Sequence, residues 1–328
     1  SLVRDEWKTY QDEWTNLPYL YQREWPGEEI FKRGVNSNPS TGVTFIKSYQ
    51  DFGVWLANEW LKRGVSLYWD NTYPKVSYNF RTTDAYITEE GVIQPCVITW
   101  DRREYQKRVW NCLQYWRERR KEPLEWTVHM TNTLLLPLHT FATADLDHEL
   151  SSPVPFSPDW LRTETTGLQI GNYPLSLFPV YGAANKIVEK LPDEEKNRIE
   201  WGMRIVHEIQ RSSYKKPTPD LEKIIFDFGY GEEKVNVHNY WEKRPILEVN
   251  NDKVKWIVFE NTENKVLMLI FASWSEKEEE VEVRIINKEF DNKDLVDGEK
   301  NEVIGKVNNL KFKIQLSAPY GVKILKII

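Results

Sequence analysis

Between Ser48 and Arg63 apolar residues recur at helical spacing: Phe52, Trp55, Leu56 and Trp60 mark one stripe, and Gly64 follows as a plausible C-terminal cap. The short run "VSLYWD" then predicts a strand that ends on Asp70 and Asn71 before the chain breaks at Pro74. The pattern repeats. Arg102 to Lys121 carries Tyr105, Val109, Cys112, Leu113 and Trp116 on one face and basic residues on the other, an amphipathic helix closed by Pro123. Leu124 to Met130 predicts the next strand. Thr140 to Leu150 and Thr166 to Leu177 read as further extended pieces. Ala183 to Arg211 reads as helix interrupted at Pro192, with Asp193, Glu194 and Glu195 at the positive end of its second part. Strand and helix in alternation mean parallel βα units, about four of them, where a full (β/α)8 barrel takes about 250 residues.

From about Lys215 the pattern changes. "VKWIVFEN", "KVLMLIFASW", "EVEVRIIN", "LKFKIQLS" and "YGVKILKII" are rich in β-branched residues, and "VEVRI" and "KFKIQL" alternate as strands with one wet face do. "SSYKKPTPD", Ser212 to Asp220, has the polar and proline content of a linker. The expected architecture is α/β plus all-β: a partial or modified βα barrel over residues 1–214, followed by an antiparallel β-sandwich over residues 215–328.

Composition narrows the function classes. The net charge of −6 argues against a nucleic-acid or anionic-membrane binder, both of which need a basic surface. No apolar run approaches the roughly 20 residues of a membrane span. The 15 Trp and 16 Tyr fill a large core or stack on the apolar faces of sugars. The two cysteines, Cys96 and Cys112, make neither a disulfide framework nor a zinc site and read as buried thiols. No signal peptide is visible from Ser1 onward; a segment upstream would be compatible with a secreted or periplasmic protein.

The candidate chemistry lies where the predicted strands end, since βα enzymes keep their reactive groups there. Asp70 is one such group; its plain alternative is a turn residue. Asp145, Asp147 and Glu149 are spaced by two, so an extended segment would put them on one face, where like charges repel and one acid is held protonated. A protonated acid beside an ionised carboxylate is what glycosidic cleavage requires; a calcium site or a solvated acidic loop is the plainer outcome. His129 ends a predicted strand, and His139 and His148 flank the acids. Those histidines and acids open a metal-dependent hydrolase as an alternative, although their spacing fits no standard zinc motif. No phosphate-cradling loop, nucleophile elbow or thiol–histidine signature is present.

The order "SYQDFGVWLANEWLKRGVSLYWDNTYP", "RREYQKRVWNCLQ", "TVHMTN", "HTFATADLDHELSS" resembles a family of bacterial glycoside-hydrolase proteins that carry a domain of unknown function, related in style to β-N-acetylgalactosaminidases. The resemblance continues through "RIEWGMRIVHEI", "FGYGEEKVNVHNYWEKRP" and "LMLIFASWSEKEEEVEV". It implies a barrel-like catalytic domain, a following β-sandwich and hydrolysis of a glycosidic bond. Asp70 matches the family's strand-end acid and Glu149 the later one. Family members are usually longer and carry earlier barrel strands. "ADLDHE" also echoes the Asp-x-Asp-x-Glu end of chitinase-type motifs, without the strongly apolar strand that precedes it there.

The expectation is therefore a glycosidase acting on an oligosaccharide or polysaccharide without a cofactor. Asp70 and Glu149 are the catalytic pair, tuned by Asp147 or Asp145. Asn71, His129 and Asp145 are candidates for contacting sugar hydroxyls. Tyr68, Tyr73 and Trp100 are stacking platforms; Tyr68 is preferred to Trp69, which alternation turns away from Asp70. A carbohydrate-binding or structural module without turnover is the rival reading.

Overall fold

A computed structural model describes residues 9–10, 13–15, 43–70, 72, 76–129, 135–165, 171–211 and 219–328. By compactness the chain divides into Ser1–Asp145 with Ile170–Asn172, and Leu146–Gln169 with Tyr173–Ile328.

In the first unit helix α1 spans Lys47–Lys62. It ends as a Schellman motif: Gly64 adopts φ +82°, its amide donates to the Leu61 carbonyl, and the Val65 amide donates to Trp60. The buried face of α1 is Gln50, Gly53, Ala57 and Leu61, not the aromatic stripe; Trp55 and Trp60 are 58% and 44% exposed. The cause is close helix packing. A Cβ on Gly53 would sit 2.3 Å from the Tyr105 hydroxyl oxygen, so small residues make this contact and the indoles turn outward. Gln50 is buried there because it is satisfied, donating to the Phe45 and Asp101 carbonyls and accepting from Arg108.

Strand β1, Leu67–Trp69, follows α1. Two short antiparallel pairs come next, Val76–Ser77 with Cys96–Val97 and Tyr86–Ile87 with Ile93–Gln94. Helix α2, Thr99–Arg120, buries Tyr105, Val109 and Leu113, and leads to β2, Trp126–His129. β1 and β2 are parallel, with Leu67 opposite Trp126 and Trp69 opposite Val128. Leu61, Leu67, Tyr105, Val109, Leu113, Trp126 and Val128 share one core. Both cysteines are free and half-buried.

Strand β3, Ala144–His148, starts in the first unit and ends in the second. In the second unit β4, Tyr173–Ser176, pairs in parallel with β5, Gln210–Arg211. Between them α3 runs from Asp193 to Ile205. The segment from Ala183 to Leu191, expected as helix, is a series of turns with one 3-10 turn at Val188–Lys190. Asn185 explains this: its Oδ1 accepts from the amides of Ile187 and Val188, a local bond that competes with helix formation. Among the described residues the parallel strands do not close into a barrel.

Helix α4, Pro219–Phe228, precedes nine strands: β6 Val235–Asn239, β7 Leu247–Val249, β8 Val254–Asn261, β9 Val266–Ser273, β10 Glu279–Ile285, β11 Asp294–Asp297, β12 Val303–Lys306, β13 Lys311–Leu316 and β14 Val322–Ile327. They form a six-stranded sheet, β6-β8-β9-β14-β11-β12, and a three-stranded sheet, β7-β10-β13, both antiparallel. Val281, Val283, Phe312 and Ile314 of the smaller sheet meet Leu267, Leu269, Phe271 and Leu325 of the larger. The other face of the larger sheet carries Ile257, Phe259, Met268, Ile270 and Ile324, packed with Trp201 and Ile205 of α3 and Ile225 of α4. Strand β9 is thus covered on both faces, which is why its sequence reads as a continuous apolar run and does not alternate. The smaller sheet's outer face is charged, with Glu280–Lys313 and Glu282–Lys311 pairs, both 2.7 Å. The compositional boundary at residue 214/215 falls among residues outside the described set.

Candidate active site

Register brings the first candidate acid to a histidine. Trp69 lies opposite Val128, so the next residues, Asp70 and His129, end their strands side by side. Alternation sorts the side chains. Trp69 stacks on Tyr105 of α2 with ring centroids 5.0 Å apart and meets Trp126 edge-on at 4.5 Å, so it belongs to the layer between strand and helix. Tyr68 and Asp70 face the other way and are exposed, whereas His129 is buried. The His129 Nδ1 is 3.1 Å from Asp70 Oδ1 and 2.9 Å from the Tyr68 hydroxyl oxygen. With the carboxylate so close, the consistent tautomer carries its proton on Nδ1, shared between the two oxygens. The His129 carbonyl accepts from both the amide and the hydroxyl of Thr72, at 2.9 and 2.8 Å. That clamp ties the chain after Asp70 to the end of β2, so the carboxylate is held from both sides of its position.

The acidic run behaves differently. Asp145 is 2% exposed and its carboxylate meets Nδ1 of His139, itself fully buried. The His139 carbonyl accepts from Asn172 Nδ2 at 2.7 Å. Asp145 is therefore enclosed with a buried histidine, which supplies the polar partner that a buried carboxyl group needs. Strand β3 ends at His148, so Glu149 lies just past it, half-buried, in the second unit, whereas Asp70 and Asp145 belong to the first. Asn71, Tyr73 and the side chain of Asp147 lie outside the described residues. Trp100 is 71% exposed in the first turn of α2.

The second unit holds titratable groups that sequence reading did not single out. His207, just past α3, is fully buried; Nδ1 donates to the Met203 carbonyl at 2.9 Å, and Nε2 is 3.0 Å from the Tyr240 hydroxyl. Trp241 stacks on the ring and Trp274 meets it edge-on. Burial lowers its pKa to about 4. Its neighbour Glu208 adopts φ +56° and accepts from Asn239 Nδ2 at 3.0 Å and the Tyr230 hydroxyl at 3.2 Å. Burial moves this carboxyl above its ordinary range despite both donors. Glu208 precedes β5, at the amino end of a parallel strand, the end where βα folds place stability and not chemistry. No signal in "RIVHEIQ" separates such a pair from ordinary helix-end residues. His148 is also buried, and burial lowers it to about 4.

His129, His139 and His148 have three different partners, Asp70, Asp145 and Ser176. Among the described residues no group of three or more His, Cys, Asp or Glu side chains is arranged to hold a metal ion. No helix among them is long and apolar enough to cross a membrane.

No protein-family model and no curated protein matches the chain. Solved structures do. The chain is similar to a GH27 β-L-arabinopyranosidase from Geobacillus stearothermophilus, with a TM-score of 0.51 at 12% identity over 88% of this chain and 64% of that one. It is similar to a substituted form of AmyP, determined in complex with maltotriose, with a TM-score of 0.54 at 10% identity over 88% and 69%. It is also similar to the noncanonic maltogenic α-amylase AmyB from Thermotoga neapolitana, with a TM-score of 0.50 at 10% identity over 94% and 74%. The chain thus has a fold of the glycoside-hydrolase kind and spans less than two thirds of the arabinopyranosidase's length.

Proposed function

We propose that the chain is a glycoside hydrolase, or the greater part of one, that cleaves a glycosidic bond in an oligosaccharide or polysaccharide. The observation that carries the reading is the Asp70–His129–Tyr68 group: an exposed carboxylate, oriented by a buried imidazole, at the carboxyl ends of two parallel strands. Its fold is shared with a protein determined with maltotriose and with an arabinopyranosidase, which favours a sugar substrate over other hydrolase substrates. In this reading Asp70 and Glu149 are the two carboxylates of the reaction and Asp147 tunes Glu149. His129 orients Asp70, Asn71 contacts a sugar hydroxyl, and Tyr68, Tyr73 and Trp100 offer flat faces to sugar rings. The enclosed Asp145 supports the site through His139 and does not touch substrate. A βα catalytic domain over 1–214 with a β-sandwich over 215–328 is the organisation that goes with it.

The test is a hydrolysis screen of the purified chain against aryl glycosides in both anomeric series, including arabinopyranosides and galactosides, and against maltooligosaccharides, beside a binding assay on the same set. Release of sugar from at least one substrate is expected. Binding without release would establish the carbohydrate-binding module instead, a reading favoured by the exposed Trp55, Trp60 and Trp100. Neither binding nor release would remove both.

A further inference from the structure

We propose that His148 is a positioning residue for Glu149, acting through a hydrogen-bond chain that joins the carboxyl ends of β3 and β4. The inference rests on the reading of Glu149 as a reacting acid. His148 is the last residue of β3 and Ser176 the last of β4. The imidazole Nδ1 is 2.7 Å from the Ser176 hydroxyl oxygen, and that hydroxyl donates to the Phe178 carbonyl at 2.5 Å. Because the serine proton is committed to Phe178, Nδ1 must be the donor in the first bond, which leaves the lone pair on Nε2. The Leu177 amide donates to the His148 carbonyl at 2.9 Å, so ring and backbone are both tied to the same three residues. Phe156 meets the ring edge-on at 4.6 Å and Trp160 at 5.5 Å, which blocks rotation about the side chain.

Nε2 is buried and has no hydrogen-bond partner among the described residues. A proton there would place a buried charge with no acceptor beside it, so the ring stays neutral and in one tautomer. The serine satisfies the one N–H of the buried ring and fixes which nitrogen carries it. Glu149 is the next residue, and its Cα lies one peptide unit, about 3.8 Å, from that of His148. Whatever fixes the ring and carbonyl of His148 therefore fixes the point from which the Glu149 carboxyl is aimed. Misplacement of a reacting group by about 1 Å costs on the order of 100-fold in rate.

Three variants of the full chain separate the parts of the chain of bonds. Ser176→Ala removes the acceptor. His148→Gln carries its amide where Nε2 stands and loses the Nδ1 donor. His148→Asn keeps an N–H near the position of Nδ1. Amide hydrogen exchange is read at Leu177 and Glu149, and steady-state kinetics on any glycoside found in the screen. Ser176→Ala and His148→Gln are expected to speed exchange at both amides while protection in β8 and β9 stays as it was. Their kcat falls by about 10- to 100-fold with KM little changed. His148→Asn recovers most of both. Unchanged exchange at Leu177 in Ser176→Ala and His148→Gln overturns the proposal, as does faster exchange with unchanged kcat. A chain that hydrolyses no glycoside removes the proposed function, and the exchange data still decide whether His148 holds the strand end. If the histidine variants do not fold, Ser176→Ala alone carries the test.

Discussion

Asp70→Asn is expected to lower glycoside turnover by about 100- to 10,000-fold, the range for losing one positioned acid or base. The isosteric amide keeps the shape of the strand end and can still contact His129, but it neither accepts a proton nor holds a negative charge against a developing positive one. The cost to folding is small. Asp70 is 60% exposed at its side chain, and a carboxylate so well solvated contributes at most about 1 kcal/mol through its contact with the buried His129. Glu149→Gln is expected to match this loss with leaving groups that need protonation and to fall much less with an activated aryl leaving group. The check is kcat/KM for both variants beside thermal melts. Turnover of both at the wild-type rate would dismiss the two carboxylates; a loss of activity that tracks a loss of folding would leave them as structural groups.

Acid is expected to destabilise the second unit between about pH 6.5 and pH 4. His148 and His207 both have pKa values lowered from 6.5 to about 4, chiefly by burial. Through that window the unfolded chain binds protons that the folded chain refuses, so stability falls as pH falls and levels off once the folded pKa is passed. A shift of this size amounts to about 3 kcal/mol for each histidine as an upper bound. Burial outweighs the Met203 and Pro158 carbonyls, which favour the charged ring of His207, and Lys255 and Arg162 oppose that charge further. Glu208 works in the opposite sense, because its raised pKa means the folded state gains a proton first and is relieved as pH falls. Asp297, held down to about 2 by the Lys323 ammonium and two backbone amides, loses its contribution only below the usual carboxylate range. Denaturant melts at pH 7, 6, 5 and 4 test this, with His207→Gln expected to flatten the profile. A midpoint that does not move from pH 7 to pH 4 would contradict it.

Local pattern made much of this legible. The stops at Gly64 and Pro123, the alternation in "VEVRI" and "KFKIQL", and the outward turn of Tyr68 opposite Trp69 all depend on neighbours within a few residues. The misreadings share one cause, contacts that sequence spacing does not encode. The aromatic stripe of α1 looks like its buried face until Gly53 is seen to admit Tyr105, 52 residues later, at a distance no larger side chain allows. The run from Ala183 resembles helix until Asn185 bonds its own backbone. Asp145 looks like one of three acids on an open face until His139 encloses it. At the site, spacing named Asp70 and His129 separately; only the register of β1 with β2 makes them neighbours.

The double cover of β9 has a consequence for how the molecule can be divided. Trp201 and Ile205 of α3 lie on Ile257, Phe259, Met268 and Ile270 from the side away from the smaller sheet. A cut in the linker-like stretch "SSYKKPTPD" would sever that helix from the surface it shields. The fragment that remained would present a greasy, strand-flat plane to water, the kind that self-associates. The helix before the linker thus travels with the sandwich, and anyone trimming this protein to its last third should begin the clone ahead of Asp193.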